Sequence, residues 1–214
     1  MSARFIVLEG GEGSGKTTQA ALLSTWMESL GVEHLVTREP GGTAVGEAVR
    51  TVVLGRTDLE MPAASELFLY LASRAAFVRD VVRPALAAGR VVVADRFDLS
   101  TLAYQGYGRG LPLDEVRRAI ALATGGLEPD LTVLLDVPVA EGTARQRAGS
   151  LERDRIEQEG DVFLQRVHDG YLALAEGDSR IRSVNGSGSV EEVQERVRAA
   201  LVEAFPETFA AGGV

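Results

Sequence analysis

The 214-residue chain contains no cysteine. Disulfide scaffolds, cysteine-ligated zinc, iron–sulfur clusters and thiol chemistry are excluded with it. Histidine is almost as scarce: His34 and His168 stand far apart, so no histidine cluster suggests a metal centre. No apolar run approaches the ~18 residues of a membrane span. Met1–Phe5 leads directly into a short apolar stretch without a secretory cleavage pattern, so a cytoplasmic location is the expectation. Positive charge is in deficit, 22 Lys+Arg against 31 Asp+Glu, a net −9. A broad nucleic-acid face is therefore not expected, although one local positive site can still hold a phosphate in an acidic protein. Repeats and low-complexity linkers are also missing.

What is present fits an ordinary globular chain. It is 45% hydrophobic and 25% charged, and long enough for one domain with a sizeable core. Short apolar runs at 5–8, 34–37, 91–94, 131–135 and 181–184 read as strands. Helical spacing occupies 16–30, 44–54, 64–83, 113–123, 139–147, 158–175 and 190–204. This alternation predicts an α/β fold with a five-stranded, mainly parallel sheet flanked by helices. Residues 1–207 are expected to form the single domain, with 208–214 a frayed tail. Gln105–Gly110 reads as a polar, Gly-rich connection, and Trp26 as core. Ligands of open parallel sheets bind at the carboxyl ends of strands, and Gly10, Arg38, Asp95 and Asp136 all follow strand ends.

Lys16 is the one lysine among the 22 basic residues. It lies in Gly10-Gly11-Glu12-Gly13-Ser14-Gly15-Lys16-Thr17, which satisfies G-x-x-x-x-G-K-[ST] between a strand and a helix. Glycines there let backbone N–H groups surround a phosphate at a helix N-terminus. Lys16 is expected on the β/γ-phosphates and the Thr17 hydroxyl on Mg²⁺. The motif points to a nucleoside triphosphate without saying what is done with it. A GTPase switch also needs an Asn-Lys-x-Asp motif, which a chain with this single lysine excludes.

Other residues offer two readings each. Asp95 is a candidate acid for Mg²⁺ or a helix cap. Asp136 is a second candidate, set back by the Val137-Pro138 turn that follows. Arg38, in Arg38-Glu39-Pro40-Gly41-Gly42, is a fork for phosphate or a surface turn residue. Tyr70 and Arg74 share a helix face, either to read a base or as core with a snorkelling arginine. Arg145, Arg147, Arg153 and Arg155, interleaved with Glu152, Asp154, Glu157 and Glu159, form either a solvated helix face or a lid over about 143–157 hinged at Ala148-Gly149-Ser150.

Taken together, Phe5–Thr18, Arg38-Glu39-Pro40-Gly41-Gly42-Thr43, Asp95-Arg96-Phe97-x-x-Ser100-Thr101-x-Ala103-Tyr104-Gln105-Gly106 and Asp154-Arg155-Ile156-Glu157 resemble the bacterial thymidylate kinases, in order and over nearly the whole chain. The resemblance implies a P-loop nucleoside-monophosphate-kinase fold, usually a homodimer. It implies transfer of the γ-phosphoryl of ATP to dTMP with Mg²⁺, for dTTP synthesis. It places Gly10, Gly11, Glu12, Gly13, Ser14, Gly15, Lys16, Thr17 and Thr18 on ATP, and Thr17 and Asp95 at the metal. Around dTMP it places Glu12 near the 3′-hydroxyl, Arg38 and Arg96 on the phosphate, Tyr70 on the base, Arg74 on a thymine carbonyl, and Thr101, Tyr104 and Gln105 about base and sugar. Tyr70 departs from the usual Phe. The loop carries no basic residue besides Lys16, a pattern that goes with a lid-borne catalytic arginine. Gly149 falls at an expected arginine position, so Arg153 is the first substitute, with Arg147 beside it; Arg155 is expected to be more structural, paired with Asp154 and Glu157. Lys16, Asp95, Arg96, Arg147 and Arg153 thus form the expected catalytic set. Shikimate, adenylate and deoxynucleoside kinases are the enzyme alternatives, though they lack this pairing of motifs, and a silent nucleotide-binding regulator is the non-enzyme alternative.

Overall fold

A computed structural model of the chain describes residues 3–149 and 154–210. Strands β1 (Phe5–Glu9), β2 (His34–Arg38), β3 (Val91–Asp95), β4 (Leu131–Asp136) and β5 (Ile181–Asn185) form one parallel sheet in the order β2-β3-β1-β4-β5. Helices cover it: α1 (Lys16–Ser29), α2 (Ala44–Gly55), α3 (Ala63–Phe77), α4 (Arg83–Ala87), α5 (Asp98–Thr101), α6 (Leu113–Thr124), α7 (Val139–Gly149), α8 (Asp161–Ala175), α9 (Val190–Ala204) and α10 (Pro206–Phe209). Parallel strands covered on both faces read as continuous apolar runs, as β1 does. The edge strands β2 and β5 are only partly buried.

Side chains alternate across the sheet. Ile6 and Leu8 enter a core with Leu23 and Met27 of α1 and Val197 and Leu201 of α9. Phe5 and Val7 enter the opposite core with Phe77, Val82 and Phe97. Chain order reverses around β1, whose neighbours are β3 and β4. The carboxyl ends of these three strands therefore lie side by side, with Gly10 following β1, Arg96 following β3 and Asp136 closing β4.

Four local expectations are corrected. The run 64–83 is not one helix: α3 ends at Phe77, a wider π-helical turn spans Val78–Val82, and α4 resumes at Arg83. Pro84 supplies no N–H for the carbonyl four residues back, so the turn expands around it. Gln105–Gly110 is not a loop up to Gly108, because Leu102–Gly108 continues α5 as π-helix. A Cβ on Gly106 would lie 2.5 Å from Leu113, and one on Gly108 2.7 Å from Phe163. These glycines serve close packing rather than a turn. The helix expected from 158 begins at Asp161, after a 3₁₀ turn Glu157–Glu159 and Gly160 at φ 84°. The tail is not frayed at Thr208 and Phe209: both are buried in α10, and the Phe209 ring stacks on Trp26 at 5.5 Å between centroids. Residues 211–214 lie outside the described residues.

Candidate functional site

The Gly-rich loop joins β1 to α1 in the manner its spacing predicts. Gly10, Gly13 and Gly15 have φ of 145°, 67° and 91°, values that side chains with a Cβ rarely adopt. Space is as limiting as φ at Gly13, where a Cβ would sit 2.0 Å from the carbonyl oxygen of Gly142 on α7. The helix carrying Arg145 and Arg147 is thereby pressed directly onto the loop. Lys16 is buried, and its Nζ donates to the Gly10 and Gly11 carbonyls (3.1 and 2.8 Å) and to Ser14 Oγ (3.0 Å). Burial, helped by the nearby Arg96 charge, pushes its pKa down to about 8. The Thr17 hydroxyl donates to Asp95 Oδ2 at 2.6 Å. Strand register explains the pair, since β1 and β3 end side by side.

Above the loop lies a cavity of about 560 Å³, lined by Gly13–Gln19, Arg38, Asp95, Arg96, Arg145, Gly186, Gly188, Ser189 and Val190 among others. A second cavity, about 110 Å³, is lined by Glu39, Tyr70, Arg74, Thr101, Tyr104 and Gln105. Glu12, Glu39, Arg50, Arg96 and Asp154 line both. At this junction Arg96 Nη2 donates to Glu12 Oε1 (2.7 Å), and Tyr104 OH donates to the same oxygen (2.7 Å). Burial alone would raise the Glu12 pKa; the Arg96 and Lys16 charges outweigh it and hold the carboxyl below its usual range. Arg96 also lies 5.1 Å from the Tyr104 ring centroid.

The second cavity is walled by ion pairs. Arg74, 2% exposed, donates through Nε to both Glu39 oxygens (2.9 and 3.1 Å), through Nη1 to Thr101 Oγ1 (2.8 Å) and through Nη2 to the Phe97 carbonyl (2.8 Å). With five N–H groups on a guanidinium, hydrogens remain on Nη1 and Nη2. Gln105 Nε2 donates to the fully buried Glu66, which also receives Arg109 and Arg155. Tyr70, half-buried on α3, completes the wall, its hydroxyl pushed upward in pKa by burial. Arg38 is half exposed at the rim and reaches Glu47 only at 3.4 Å.

The four clustered arginines are not equivalent. Arg145 lines the larger cavity, bonded to Glu141 and the Gly186 carbonyl. Arg147 is exposed on α7. Arg153 lies outside the described residues. Arg155 is buried: its guanidinium meets Glu66 and the Val53 carbonyl (2.8 Å), and its N–H the Leu54 carbonyl (3.1 Å). Its guanidinium is thus tied to Glu66 on α3, a carboxylate far from it in the chain. The expectation of a structural arginine meets a buried side chain, but with a partner 89 positions away.

Several residues here were not singled out as site residues by the sequence: Glu9 and Glu39, although both stand inside quoted motifs, and Arg50, Glu66, Tyr171 and the rim residues Gly186, Gly188, Ser189 and Val190. Isolated acids in a chain with 31 of them do not announce burial. Glu9 alone offered a hint, an acid closing a run of four apolar residues. Asp136 accepts from His168 Nε2 at 2.8 Å and does not line the larger cavity.

The family model described as thymidylate kinase matches residues 8–197. The thymidylate kinase of Desulforudis audaxviator is 55% identical over 179 residues, 83% of this chain and 80% of that protein. That of a Synechococcus species is 51% identical over 203 residues, 94% and 96% of the two chains. The crystal structure of thymidylate kinase from Ehrlichia chaffeensis matches with a TM-score of 0.77 at 28% identity, covering 94% of this chain and 100% of that one.

Proposed function

The chain belongs to the thymidylate kinase family, and from that premise we propose that the larger cavity takes ATP and the smaller takes dTMP, with the γ-phosphoryl passing between them beside Arg96. The fold is the P-loop nucleoside-monophosphate-kinase fold, and the reaction is phosphorylation of dTMP to dTDP. The observation that carries the assignment is that Arg96 and Glu12 line both cavities.

The residues divide the work accordingly. Loop N–H groups from Gly10 to Thr18 surround the ATP phosphates, and Lys16 adds a compact positive charge. Arg38 and Arg96 bring the dTMP phosphate against the donor, which needs concentrated positive charge between two anions. No general base is required, because a phosphate monoester is already largely ionised at neutral pH. Tyr70 presents a ring to the base, and Arg74, Thr101 and Gln105 offer polar groups at its edge. Glu12 and Tyr104 adjoin the sugar. Arg147 and Arg153 are the candidates for charge on the transferring group, while Arg145 faces the donor cavity.

Thr17 and Asp95 are two hard oxygen donors 2.6 Å apart at the mouth of the larger cavity. Among the described residues no cluster of three His, Asp or Glu side chains forms a metal cage. This sparse donor set suits Mg²⁺, which keeps waters and phosphate oxygens as its other ligands. Bound there, the ion supplies neutralisation of β- and γ-phosphate charge. A homodimer fits the exposed apolar stripe of α3, where Phe68 is 65% exposed and Ala72 and Ala75 lie on the same side; sedimentation velocity tests it. A cytoplasmic location fits an enzyme of dTTP synthesis, and no described helix is long and apolar enough to cross a membrane.

A coupled ADP-release assay with ATP, Mg²⁺ and each monophosphate tests the reading. Turnover should be highest with dTMP, lower with dUMP, and absent with AMP and CMP. Equal turnover of dTMP and AMP would overturn the assignment of the smaller cavity.

A further inference from the structure

Glu9 closes β1, is 0% exposed, and none of its hydrogen bonds comes from a charged group. Burying a carboxylate is costly unless its lone pairs are met. Four donors meet these. Oε1 accepts from the Phe97 and Ser100 backbone N–H groups (2.8 and 3.0 Å), and Oε2 from Ser100 Oγ (2.6 Å) and Tyr171 OH (2.9 Å). All four lie on segments that frame Arg96. Phe97 and Ser100 follow it in the chain, and Tyr171 reaches in from α8.

Arg96 itself is strained. Its φ of 73° is the one positive value at a non-glycine among the described residues. Such a conformation is costly and persists only where neighbours over-determine it. Its backbone N–H is tied to the Leu8 carbonyl (2.9 Å), the residue before Glu9. Its Nη1 donates to the Gly10 carbonyl (3.1 Å), the residue after Glu9, and to the same two hydroxyls, Ser100 Oγ and Tyr171 OH, each at 3.2 Å. A hydroxyl has one proton and two lone pairs. With its proton drawn to Glu9, directly or through the other hydroxyl 2.8 Å away, it turns a lone pair to the guanidinium.

We propose that Glu9 is a positioning residue for Arg96, acting through the hydroxyls of Ser100 and Tyr171 and through the backbone after Arg96. The carboxylate holds the left-handed turn, polarises both hydroxyls, and sets the guanidinium at the junction of the two cavities before substrate arrives. A displacement of about 1 Å in such a group costs on the order of 10²-fold in rate, so small errors in this support should be visible in kcat.

The inference rests on the placement of Arg96 beside the transferred phosphoryl, and a double-mutant cycle keeps the two apart. Tyr171→Phe preserves the ring, which packs edge-on to Tyr104 at 6.2 Å, and removes only the hydroxyl. Single-turnover rates at saturating ATP and dTMP, with melting temperatures, are measured for Tyr171→Phe, Arg96→Ala and the double variant. Tyr171→Phe should lower the rate about tenfold in the parent and not further in Arg96→Ala, because coupled residues lose additivity. Glu9→Gln should show the same non-additivity with a larger single loss, and if it does not fold the Tyr171 cycle decides alone. A Tyr171→Phe rate within twofold of the parent, or an equal loss in both backgrounds, overturns the positioning role. An Arg96→Ala rate within a few-fold of the parent overturns instead the placement of Arg96.

Discussion

The two cavities of this kinase are built by opposite means. The proposed donor side is mostly backbone: a loop with three glycines at positive φ, a helix N-terminus and one ammonium bonded to the loop's own carbonyls. The proposed acceptor side is mostly side chain: Glu39 with Arg74, Glu66 with Arg109 and Arg155, Glu12 with Arg96. The Lys16 bonds on the first side join residues two to six positions apart. The ion pairs on the second join residues 35 to 89 positions apart. A triphosphate chain is gripped by N–H groups that any residue supplies, whereas one monophosphate among many demands shaped, rigid side chains. Rigid polar walls in turn require that each buried charge be paired.

The sharpest way to break this contrast is at its donor end. Lys16→Ala should lower kcat on the order of 10³-fold with little change in melting temperature, because its bonds stay within the loop. Lys16→Arg should fail nearly as badly, since a planar fork does not replace a point charge. Steady-state kinetics with thermal melts check both, and a near-normal Lys16→Arg would refute the backbone-cradle description.

The next test concerns the arginines expected in a lid. Arg153→Ala, and after it Arg147→Ala, should reduce kcat with little change in KM for dTMP, by up to ~10³-fold for the arginine that meets the transferring group. If Arg145, Arg147 and Arg153 each tolerate alanine within a few-fold, the catalytic charge belongs to Arg38 or Arg96.

The acceptor side should fail first in stability. Arg74→Ala leaves Glu39 buried and unpaired, and should cost about 3–5 kcal/mol in urea unfolding. Arg155→Ala should cost less, about 2 kcal/mol, because Glu66 keeps Arg109 and Gln105 as donors. Equal losses would mean that Glu66 depends on Arg155 alone.

The smallest effect is one of pH. The folded pKa of Lys16, about 8, lies below the unfolded value near 10.4. Between these values the unfolded chain binds more protons, so the ligand-free protein should gain stability as pH rises through that window. ATP binding should run the opposite way, weakening several-fold as pH passes about 8 and the ammonium is lost. Calorimetric titration should find this slope in the parent and none in Lys16→Arg.

The contrast also explains which parts of the molecule were readable. The five strands and the phosphate loop were legible because their signals are local: apolar runs bounded by turns, and glycines at fixed spacing before Lys16. Gln105–Gly110 misled for the same reason. Glycine locally signals a turn, and only the approach of Leu113 and Phe163 makes Gly106 and Gly108 helical packing residues. Arg155 was legible as structural but not as the partner of Glu66, because acids beside it in the chain were equally available partners. Phe209 looked like a tail residue until Trp26 was placed beneath it.

By itself, then, the sequence determined the parallel α/β order, the triphosphate loop, and through its joint motifs the family of the acceptor. Each of these depends on backbone conformation or periodicity, which neighbours in the chain control. Only the tertiary structure decided that Arg96 joins both cavities, that Glu9 supports it, and that Glu39 and Glu66 are buried walls rather than surface acids. Those roles depend on which charges share a low-dielectric space, and desolvation there is set by the packing of distant segments.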